Sequence, residues 1–249
     1  MDILYVIGRG SSWENNELRY SLRSLEKYGI NVGRVFIAGY CPDFINQNIV
    51  QWIACPDEYE YKHKNILRCI EMAVAQSDIA DDFLYSSDDH FYIKPTDFDA
   101  YPIFRKGVLP AHIKPEDTPQ SYNTSLVSTY KLLKAAGMPT HNFSWHGNTH
   151  FNKTLFNEPQ FVAMRDLSFG MTGGVEPSCI MLNYMLAKRP FQWIDRHDRK
   201  FGDETNRDEF FAGLDEGREC FSCSTNVMRT YLATYLAEQF PTRSKYERW

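Results

Sequence analysis

The chain has 249 residues, of which 43% are hydrophobic, and a formal net charge of −5. This length favours a single α/β domain with one substantial core, and the weak net acidity disfavours a large nonspecific nucleic-acid footprint. The six cysteines are scattered, no signal-peptide pattern follows the first apolar run, and no run reaches membrane-spanning length. We therefore expect a cytoplasmic protein with reduced thiols and no membrane span.

The first half of the chain alternates predicted strands with predicted helices. Apolar runs with the length of buried parallel strands lie at residues 2–7, 34–39, 48–55 and 83–85. Apolar spacing of three and four residues predicts a helix that is capped by Asn15 or Asn16 and ends at Gly29, and another over about residues 62–76. This order predicts a Rossmann-like, mostly parallel sheet flanked by helices, with residues 1–95 as the ligand-binding half of one domain.

Two loops at the carboxyl ends of these strands carry side chains that suit a nucleotide. The Gly8-Arg9-Gly10 turn leaves backbone N–H groups free, which makes Arg9 and Gly10 candidates for nucleotide binding. The turn lacks the G-x-G-x-x-G and Walker spacings, and a plain strand-to-helix connection explains it equally well. Asp57 follows the third strand, where open α/β sheets bind ligands, although capping a helix or turn is at least as common a role for Asp.

The first turn of the second helix is basic. It carries Lys62, His63, Lys64 and Asn65, whereas acidic residues are the ones that favour the positive end of a helix dipole. Either these side chains are solvated by chance or an anion lies beside them, and we favour the anion. Lys62, Lys64 and Asn65 are therefore predicted to contact the base, ribose or phosphates of a nucleotide.

The stretch after the fourth strand gives the clearest chemical signal. Apolar residues 83–85 lead through two serines into Asp88, Asp89 and His90. If the chain stays extended, Asp88 and His90 face one side and Asp89 the other. Carboxylates at a strand end suit Mg²⁺ or Mn²⁺, which usually completes its shell with substrate phosphates, as in a nucleotide-sugar site. The alternative is an acidic pair that merely caps a turn or helix.

The pattern becomes less regular after residue 95. Prolines between residues 97 and 124 favour loop, short strand and lid, and a helix is predicted over residues 127–136. His141, Trp145 and His146 lie in a polar stretch that lacks cysteine and carboxylate. We therefore expect an acceptor-binding loop there, which packs on and hydrogen-bonds a polar substrate, rather than a zinc site.

Two further candidates lie beyond that loop. Glu176 stands between a glycine-rich loop and a helix predicted over residues 178–187, and it is either an ordinary first-turn acid or a base pointed into a pocket. His197 follows a strand predicted over residues 191–194 and can complete a metal shell, although mixed charges of this kind usually form a solvated surface. The cations beside it that can neutralise a diphosphate are Arg196, Arg199 and Lys200.

Three segments carry a resemblance to known transferases. Residues 16–28, NELRYSLRSLEKY, look like a family's N-terminal helix signature, and residues 83–91, FLYSSDDHF, look like its strand that ends in two aspartates. Residues 240–247, FPTRSKYE, are similar to a Phe-Pro-x-x-Ser-x-aromatic-Glu ending. The chain thus resembles the Stealth family of sugar-phosphate transferases and, more broadly, metal-dependent glycosyltransferases of the GT-A fold. Residues 96–190 fit loosely, and Gly8-Arg9-Gly10 replaces an acidic residue that the family normally carries.

The resemblance implies a GT-A-like α/β fold in which residues 96–249 form a less regular acceptor-binding half. It also implies that Asp88 and Asp89 hold Mn²⁺ or Mg²⁺ against a nucleotide diphosphate. We expect a metal-dependent glycosyltransferase that moves a sugar from a nucleotide-diphosphate-sugar donor to an acceptor hydroxyl, with Glu176 and Asp89 as catalytic residues and His197 as a third metal ligand. The alternatives are a Stealth-type sugar-1-phosphate transferase with the same donor and a non-catalytic carbohydrate- or nucleotide-binding module. The acceptor is open between a glycan, a lipid-linked sugar, a protein and a modified DNA base.

Overall fold

The computed structural model of the chain describes residues 1–114, 121–197, 199–203, 205–214, 218–224 and 231–248. Its strands, in chain order, are β1 (Asp2–Ile7), β2 (Gly29–Ile30), β3 (Val35–Gly39), β4 (Val50–Ala54), β5 (Asp82–Ser86), β6 (His90–Tyr92), β7 (Thr96–Asp97), β8 (Phe104–Arg105), β9 (Thr149–Asn152), β10 (Ile194–Asp195), β11 (Lys200–Phe201) and β12 (Cys220–Cys223). Its helices are α1 (Asn16–Tyr28), α2 (Lys62–Gln76), α3 (Tyr122–Ala135), α4 (Lys153–Phe156), α5 (Pro159–Phe169), α6 (Pro177–Lys188), α7 (Arg207–Leu214) and α8 (Tyr231–Gln239), with a short 3-10 helix at Leu109–His112.

Five of the described strands form the central sheet, in the order β4-β3-β1-β5-β9. The first four run parallel, so that Ile3 of β1 pairs with Val35 of β3 on one side and Leu84 of β5 on the other. β9 completes the sheet antiparallel to β5. The predicted order of strands and helices up to β5 is confirmed. The carboxyl ends of the parallel strands therefore share one edge of the sheet, where the loops begin at residues 8, 40, 55 and 87.

Helices cover both faces of the central sheet. Leu22 of α1 belongs to the core cluster on one face together with Tyr5 of β1. Ile70 of α2 belongs to the cluster on the opposite face together with Leu4. Each fully buried side chain of this kind contributes roughly 1.5–3 kcal/mol. Because both of their faces are buried, β1, β3 and β5 read in the sequence as continuous apolar runs, whereas the edge strand β4 is partly exposed.

The second half of the chain is built from short strands. β12 lies between β11 and β6, β10 pairs with β8, and β7 pairs with β2. The strand predicted over residues 191–194 is wrong for most of its length, since only Ile194 belongs to β10. The rings of Phe191 and Trp193 instead pack against Phe143 and each other. The apolar residues of this segment thus pack as an aromatic cluster, although their pattern in the sequence resembles that of a strand.

The helices predicted over residues 127–136 and 178–187 are present as α3 and α6. α3 begins earlier than expected, because the Ser121 hydroxyl accepts a hydrogen bond from the Thr124 N–H and so caps the helix. Residues 115–120 of the predicted lid lie outside the described residues. No helix in the described parts of the chain is long and apolar enough to cross a membrane.

The end of the chain is fastened to α1 by a buried carboxylate. Glu247 has 5% of its surface exposed and receives hydrogen bonds from Arg23 at 2.7 and 2.9 Å and from Arg19 at 3.0 Å. The backbone N–H of Ser244 donates a further bond to the same carboxylate at 2.9 Å. Burial alone would raise the pKa of Glu247, but these donors and the two positive charges lower it. We call Arg19, Arg23, Ser244 and Glu247 the C-terminal clasp.

Candidate active site

The two adjacent aspartates lie in a turn at the carboxyl edge of the parallel sheet. β5 ends at Ser86 and β6 begins at His90, so Asp88 and Asp89 occupy the turn between them. The chain does not stay extended there, and the alternation of side chains expected for a strand therefore does not apply. We call Asp88 and Asp89 the acidic turn. Both side chains are partly exposed.

The acidic turn is a site of crowded negative charge. Asp88 has some contact with solvent, but the protein surrounds it closely enough that burial is the first cause raising its pKa, to about 7. The neighbouring Asp89 adds to the shift, and so does Glu17 of α1, while the positive charge of Lys62 opposes it. Glu17 is itself buried, and its Oε2 has no hydrogen-bond partner among the described residues. At Asp88, burial and neighbouring negative charge therefore outweigh the positive charge of Lys62.

His90, the first residue of β6, packs beside the acidic turn. It is 2% exposed, its Nδ1 lies 3.2 Å from the Ser86 hydroxyl, and its Nε2 lies 3.7 Å from an Asp89 oxygen. The Ser86 hydroxyl in turn donates to the Ser87 carbonyl at 3.1 Å. Because that hydroxyl is used as a donor, it can accept from a His90 Nδ1–H, and Nε2 then attracts Asp89 only when the imidazole is protonated on both nitrogens. The turn is thus held by side chains of the strands that flank it.

The acidic turn fits a divalent cation by its chemistry. Adjacent carboxylate oxygens with excess negative charge are the ligands that Mg²⁺ and Mn²⁺ take, and such ions often use few protein ligands. Among the described residues, no group of three or more His, Cys, Asp and Glu side chains is placed to hold a metal. His197 is exposed, and its carbonyl accepts from Arg218, so the structure does not support the predicted three-ligand set. Asp88 and Asp89 are then the two protein ligands that could hold such a cation.

Glu176 reaches the same region from the start of α6. The preceding loop has left-handed backbone at Gly173 and Gly174, with φ of 75° and 71°. A Cβ on Gly174 would lie 2.9 Å from Lys64 and 3.3 Å from His63, so a glycine allows the loop to approach the first turn of α2. This approach puts a Glu176 oxygen 3.2 Å from Nε2 of His63. The anion expected beside the basic helix start is thus, in part, the protein's own carboxylate.

The electrostatic surroundings of Glu176 are opposite to those of the acidic turn. Burial alone would raise the pKa of Glu176, but the hydrogen bond and charge of His63 outweigh it, with smaller contributions from Lys106 and His146, and the pKa is lowered. The side chain is only 13% exposed. Burial is the first cause that raises the pKa of Tyr85 in β5, and the negative charges of Glu176, Asp89 and Asp88 raise it further. A buried, ionised carboxylate therefore lies near the acidic turn.

The predicted donor-binding residues fall into two groups. The positive charge of Lys62 opposes the rise in the pKa of Asp88. The exposed Arg9 guanidinium, in the same turn as Gly10, lies 5.8 Å from the centroid of the Tyr40 ring. Asp57 is exposed at the end of β4. These positions all lie at the carboxyl edge of the parallel sheet, where the nucleotide was expected.

Lys64 and Asn65 have structural contacts instead. The Lys64 ammonium lies 4.9 Å from the ring of Tyr61. The Asn65 side chain accepts from the N–H groups of Glu58 and Tyr59 and donates to the Tyr59 carbonyl. Holding the loop before α2 therefore accounts for Asn65, and its predicted role in donor binding is not supported by this geometry.

Of the predicted acceptor-binding residues, only His146 lies near Glu176. Its Nε2 is 3.3 Å from the Lys200 ammonium, and its charge acts on Glu176. The Trp145 ring stacks on Phe104 with centroids 4.3 Å apart, and His141 packs on Trp193 and lies 3.1 Å from Arg105. The structure thus places Trp145 and His141 among aromatic packing contacts and does not support their predicted role.

Sequence reasoning missed three residues of this region. His63 was noted only as part of a basic turn, and its partnership with Glu176 joins segments far apart in the chain. Lys106 and Asn142 line a cavity of about 340 Å³ that no local pattern indicates. A larger cavity of about 580 Å³ lies between Asn15, Phe44 and Arg248, on the α1 side of the molecule.

Comparison with solved structures finds similarity to the galactosyltransferase LgtC. A crystal structure of LgtC in complex with donor and acceptor sugar analogs is 12% identical to this chain, covers 98% of each chain and has a TM-score of 0.51. An active-site mutant of LgtC gives 12% identity, the same coverage and a TM-score of 0.50. No family model and no curated protein matches the chain, so its resemblance to the Stealth family stays a prediction. The structural likeness shows that the chain has the GT-A glycosyltransferase fold, as the fold prediction stated.

Proposed function

We propose that the protein is a glycosyltransferase that uses a nucleotide-diphosphate-sugar donor and a divalent cation, Mn²⁺ or Mg²⁺. The observation that carries this proposal is the acidic turn, in which two neighbouring carboxylates stand at the carboxyl edge of parallel strands opposite Lys62. Open α/β sheets bind ligands at this edge. The GT-A fold supports the proposal, since LgtC with the same fold is a galactosyltransferase that was crystallised with donor and acceptor sugar analogs.

In this proposal residues 1–95 bind the donor and residues 96–249 bind the acceptor. Arg9, Gly10 and Asp57 would surround the nucleotide, and Lys62 would face its phosphates. A divalent cation bound by Asp88 and Asp89 would neutralise the charge that develops on the leaving nucleoside diphosphate. The cation would thus supply the positive charge that both the crowded carboxylates and the phosphates lack.

Glu176 is the group that we propose to receive the acceptor's proton. Its lowered pKa keeps it ionised at neutral pH, and His63 fixes its orientation through their 3.2 Å contact. An ionised carboxylate can accept a hydrogen bond from the acceptor hydroxyl and take its proton as the new glycosidic bond forms. His63 is then a positioning residue, and it provides a positive charge in its protonated form.

Product analysis tests this proposal. The intact protein is incubated with a panel of nucleotide sugars and Mn²⁺, and the released nucleotides are separated by chromatography. We expect release of a nucleoside diphosphate that depends on the cation and is lost in Asp88→Asn. Release of a nucleoside monophosphate would instead indicate sugar-1-phosphate transfer. Equal activity of Asp88→Asn and wild type would overturn the assignment.

A further inference from the structure

Two residues that line the cavity of about 340 Å³ connect it to Glu176 and to its partner His63. Lys106 lines it and also acts on the Glu176 carboxylate. Tyr122 lines it too, and its ring centroid lies 6.3 Å from that of His63, the partner of Glu176. A molecule in this cavity would therefore contact two residues, Lys106 and Tyr122, that neighbour the Glu176–His63 pair.

The described lining of this cavity favours a negative charge. Two of its lining residues are Lys106 and Lys114, and none of the lining residues carries a carboxylate. The cavity also includes Tyr122 and Asn123, the first two residues of α3, whose first turn contains no acidic residue. The positive end of the helix dipole and two ammonium groups thus act on the same space.

An unpaired donor provides a second, independent sign of a ligand. Asn142 lines the cavity and is 1% exposed, yet its amide nitrogen has no hydrogen-bond partner among the described residues. Leaving a buried donor unsatisfied costs about 1–3 kcal/mol. Because Asn142 lines the cavity, a ligand oxygen that reached its amide nitrogen would remove that cost.

The orientation of the Asn142 amide is determined by its neighbours. Its oxygen accepts from the Ser144 N–H at 3.1 Å and from the Ser144 hydroxyl at 2.6 Å. Because that hydroxyl is used as a donor, it accepts from the Tyr122 hydroxyl, with which it is also paired. Flipping the amide would bring its nitrogen against the Ser144 N–H, which can only donate, so the unsatisfied group is the N–H₂.

We propose that this cavity is the acceptor subsite and that it takes a sugar bearing an anionic group, either a uronate carboxylate or a phosphate ester. The anion would contact Lys106 and Lys114, and a neighbouring sugar oxygen would accept from Asn142. The assignment of this cavity as an acceptor subsite rests on the proposed function. The binding of an anionic sugar there does not depend on it. Together these narrow the acceptor from any hydroxyl compound to an acidic saccharide.

A titration of the intact protein tests this inference without any donor. Methyl β-D-glucuronide, glucose 6-phosphate and methyl β-D-glucoside are titrated in turn at low and high salt, and binding is followed by calorimetry or ligand-observed NMR. We expect one or both anionic sugars to bind at least about tenfold more tightly than the neutral glucoside, as charge-assisted hydrogen bonds require. The two anionic ligands distinguish a carboxylate from a phosphate source.

Variants make the test specific to this cavity. Lys114→Gln and the double variant Lys106→Gln/Lys114→Gln should reduce the preference for the anionic sugar at least about fivefold. The matched control Lys131→Gln removes an exposed lysine from α3, outside the cavity lining, and should leave the preference unchanged. Melting temperatures of the variants check that each is folded.

Three results would overturn the inference: equal binding of charged and neutral sugars, no binding of any of them, or the same loss in Lys131→Gln as in Lys114→Gln. A failure of the transferase proposal looks different. In that case anionic sugars bind as expected, but no nucleotide sugar yields a nucleoside diphosphate.

Discussion

The C-terminal clasp and the acidic turn are both built around carboxylates enclosed by protein, but they treat the negative charge in opposite ways. In the clasp, two guanidinium groups and a backbone N–H lower the pKa of Glu247. In the acidic turn, burial and neighbouring carboxylates raise the pKa of Asp88 to about 7. A protein that needs only stability would compensate both. We infer that the clasp serves the fold and that the turn is left short of positive charge for a ligand that carries it.

Glu176 lies between these two cases. Its side chain is 13% exposed, against 1% for Glu247, and its ion pair is with a histidine rather than with two arginines. Such a carboxylate is ionised and yet still able to exchange one partner for another. The three sites therefore predict different responses to removal of the charge.

The largest expected effect is on activity in the acidic turn. Asp88→Asn and Asp89→Asn should each reduce turnover by about 10²–10³-fold, the size typical for loss of a group that stabilises transition-state charge. In the absence of cation the same changes should leave the melting temperature equal or raise it, because they remove repulsion between like charges. Steady-state kinetics and thermal unfolding of the same samples check both parts. If the variants unfold at a clearly lower temperature than wild type, and lose activity to the extent that they unfold, the turn is structural.

The clasp should give the opposite result. Glu247→Gln leaves Arg19 and Arg23 without their shared carboxylate, and we expect it to destabilise the fold by roughly 3 kcal/mol. Turnover of the folded fraction should stay within a factor of about two, an effect smaller than 1 kcal/mol. Urea unfolding followed by fluorescence measures the first quantity. An activity loss at unchanged stability would contradict the division between the two regions.

Acid should remove the contribution of the clasp. The pKa of Glu247 is lowered in the folded state, so its stabilisation is complete above its unfolded value near 4.5 and is lost as the pH falls through the folded value. The difference in unfolding free energy between wild type and Glu247→Gln should therefore be largest near neutral pH and shrink below pH 4.5. Urea titrations at several pH values test the sign. A difference that grows toward low pH would exclude this linkage.

For Glu176 we expect a loss of turnover with a small change in stability. Glu176→Gln should lower turnover by about 10²-fold, within the range of general base catalysis. His63→Gln should lower it less and should shift the pH profile, since His63 acts through Glu176. If His63→Gln and Glu176→Gln leave the pH profile and turnover unchanged, the pair has only a structural role.

The smallest effect should come from an exposed pair. Asp78 is 72% exposed and lies 2.6 Å from Arg34, which also binds Asp2. Asp78→Asn should change the unfolding free energy by less than about 0.5 kcal/mol. The same urea titration serves as the measurement. A value near that of Glu247→Gln would show that burial does not explain the strength of the clasp.

The sequence predicted the parallel half of the fold well because burial on both faces leaves continuous apolar runs in β1, β3 and β5. Asp88 and Asp89 were singled out because they follow such a run after two serines, and their role stays a prediction. The second half was predicted less well, since strands of two residues such as β8 and β10 have no periodicity. Phe191 and Trp193 show how aromatic packing can imitate a strand.

The site itself was only partly predictable for a related reason. The pairing of Glu176 with His63 depends on a close approach at Gly174. The stacking of Trp145 on Phe104 likewise joins residues that are far apart in the chain. Polar residues in one segment were therefore assigned a role by their type alone. The unsatisfied amide of Asn142 becomes visible only when all its neighbours are in place.

The most direct test is a titration of the protein with Mn²⁺ in the presence and absence of nucleoside diphosphates. If the acidic turn and a diphosphate share one cation, each must tighten the binding of the other by the same factor. We predict that the best nucleoside diphosphate raises Mn²⁺ affinity at least about tenfold in wild type and in Glu247→Gln, and that Asp88→Asn abolishes this coupling. Mn²⁺ binding that is indifferent to every diphosphate, or coupling that survives in Asp88→Asn, would contradict the account.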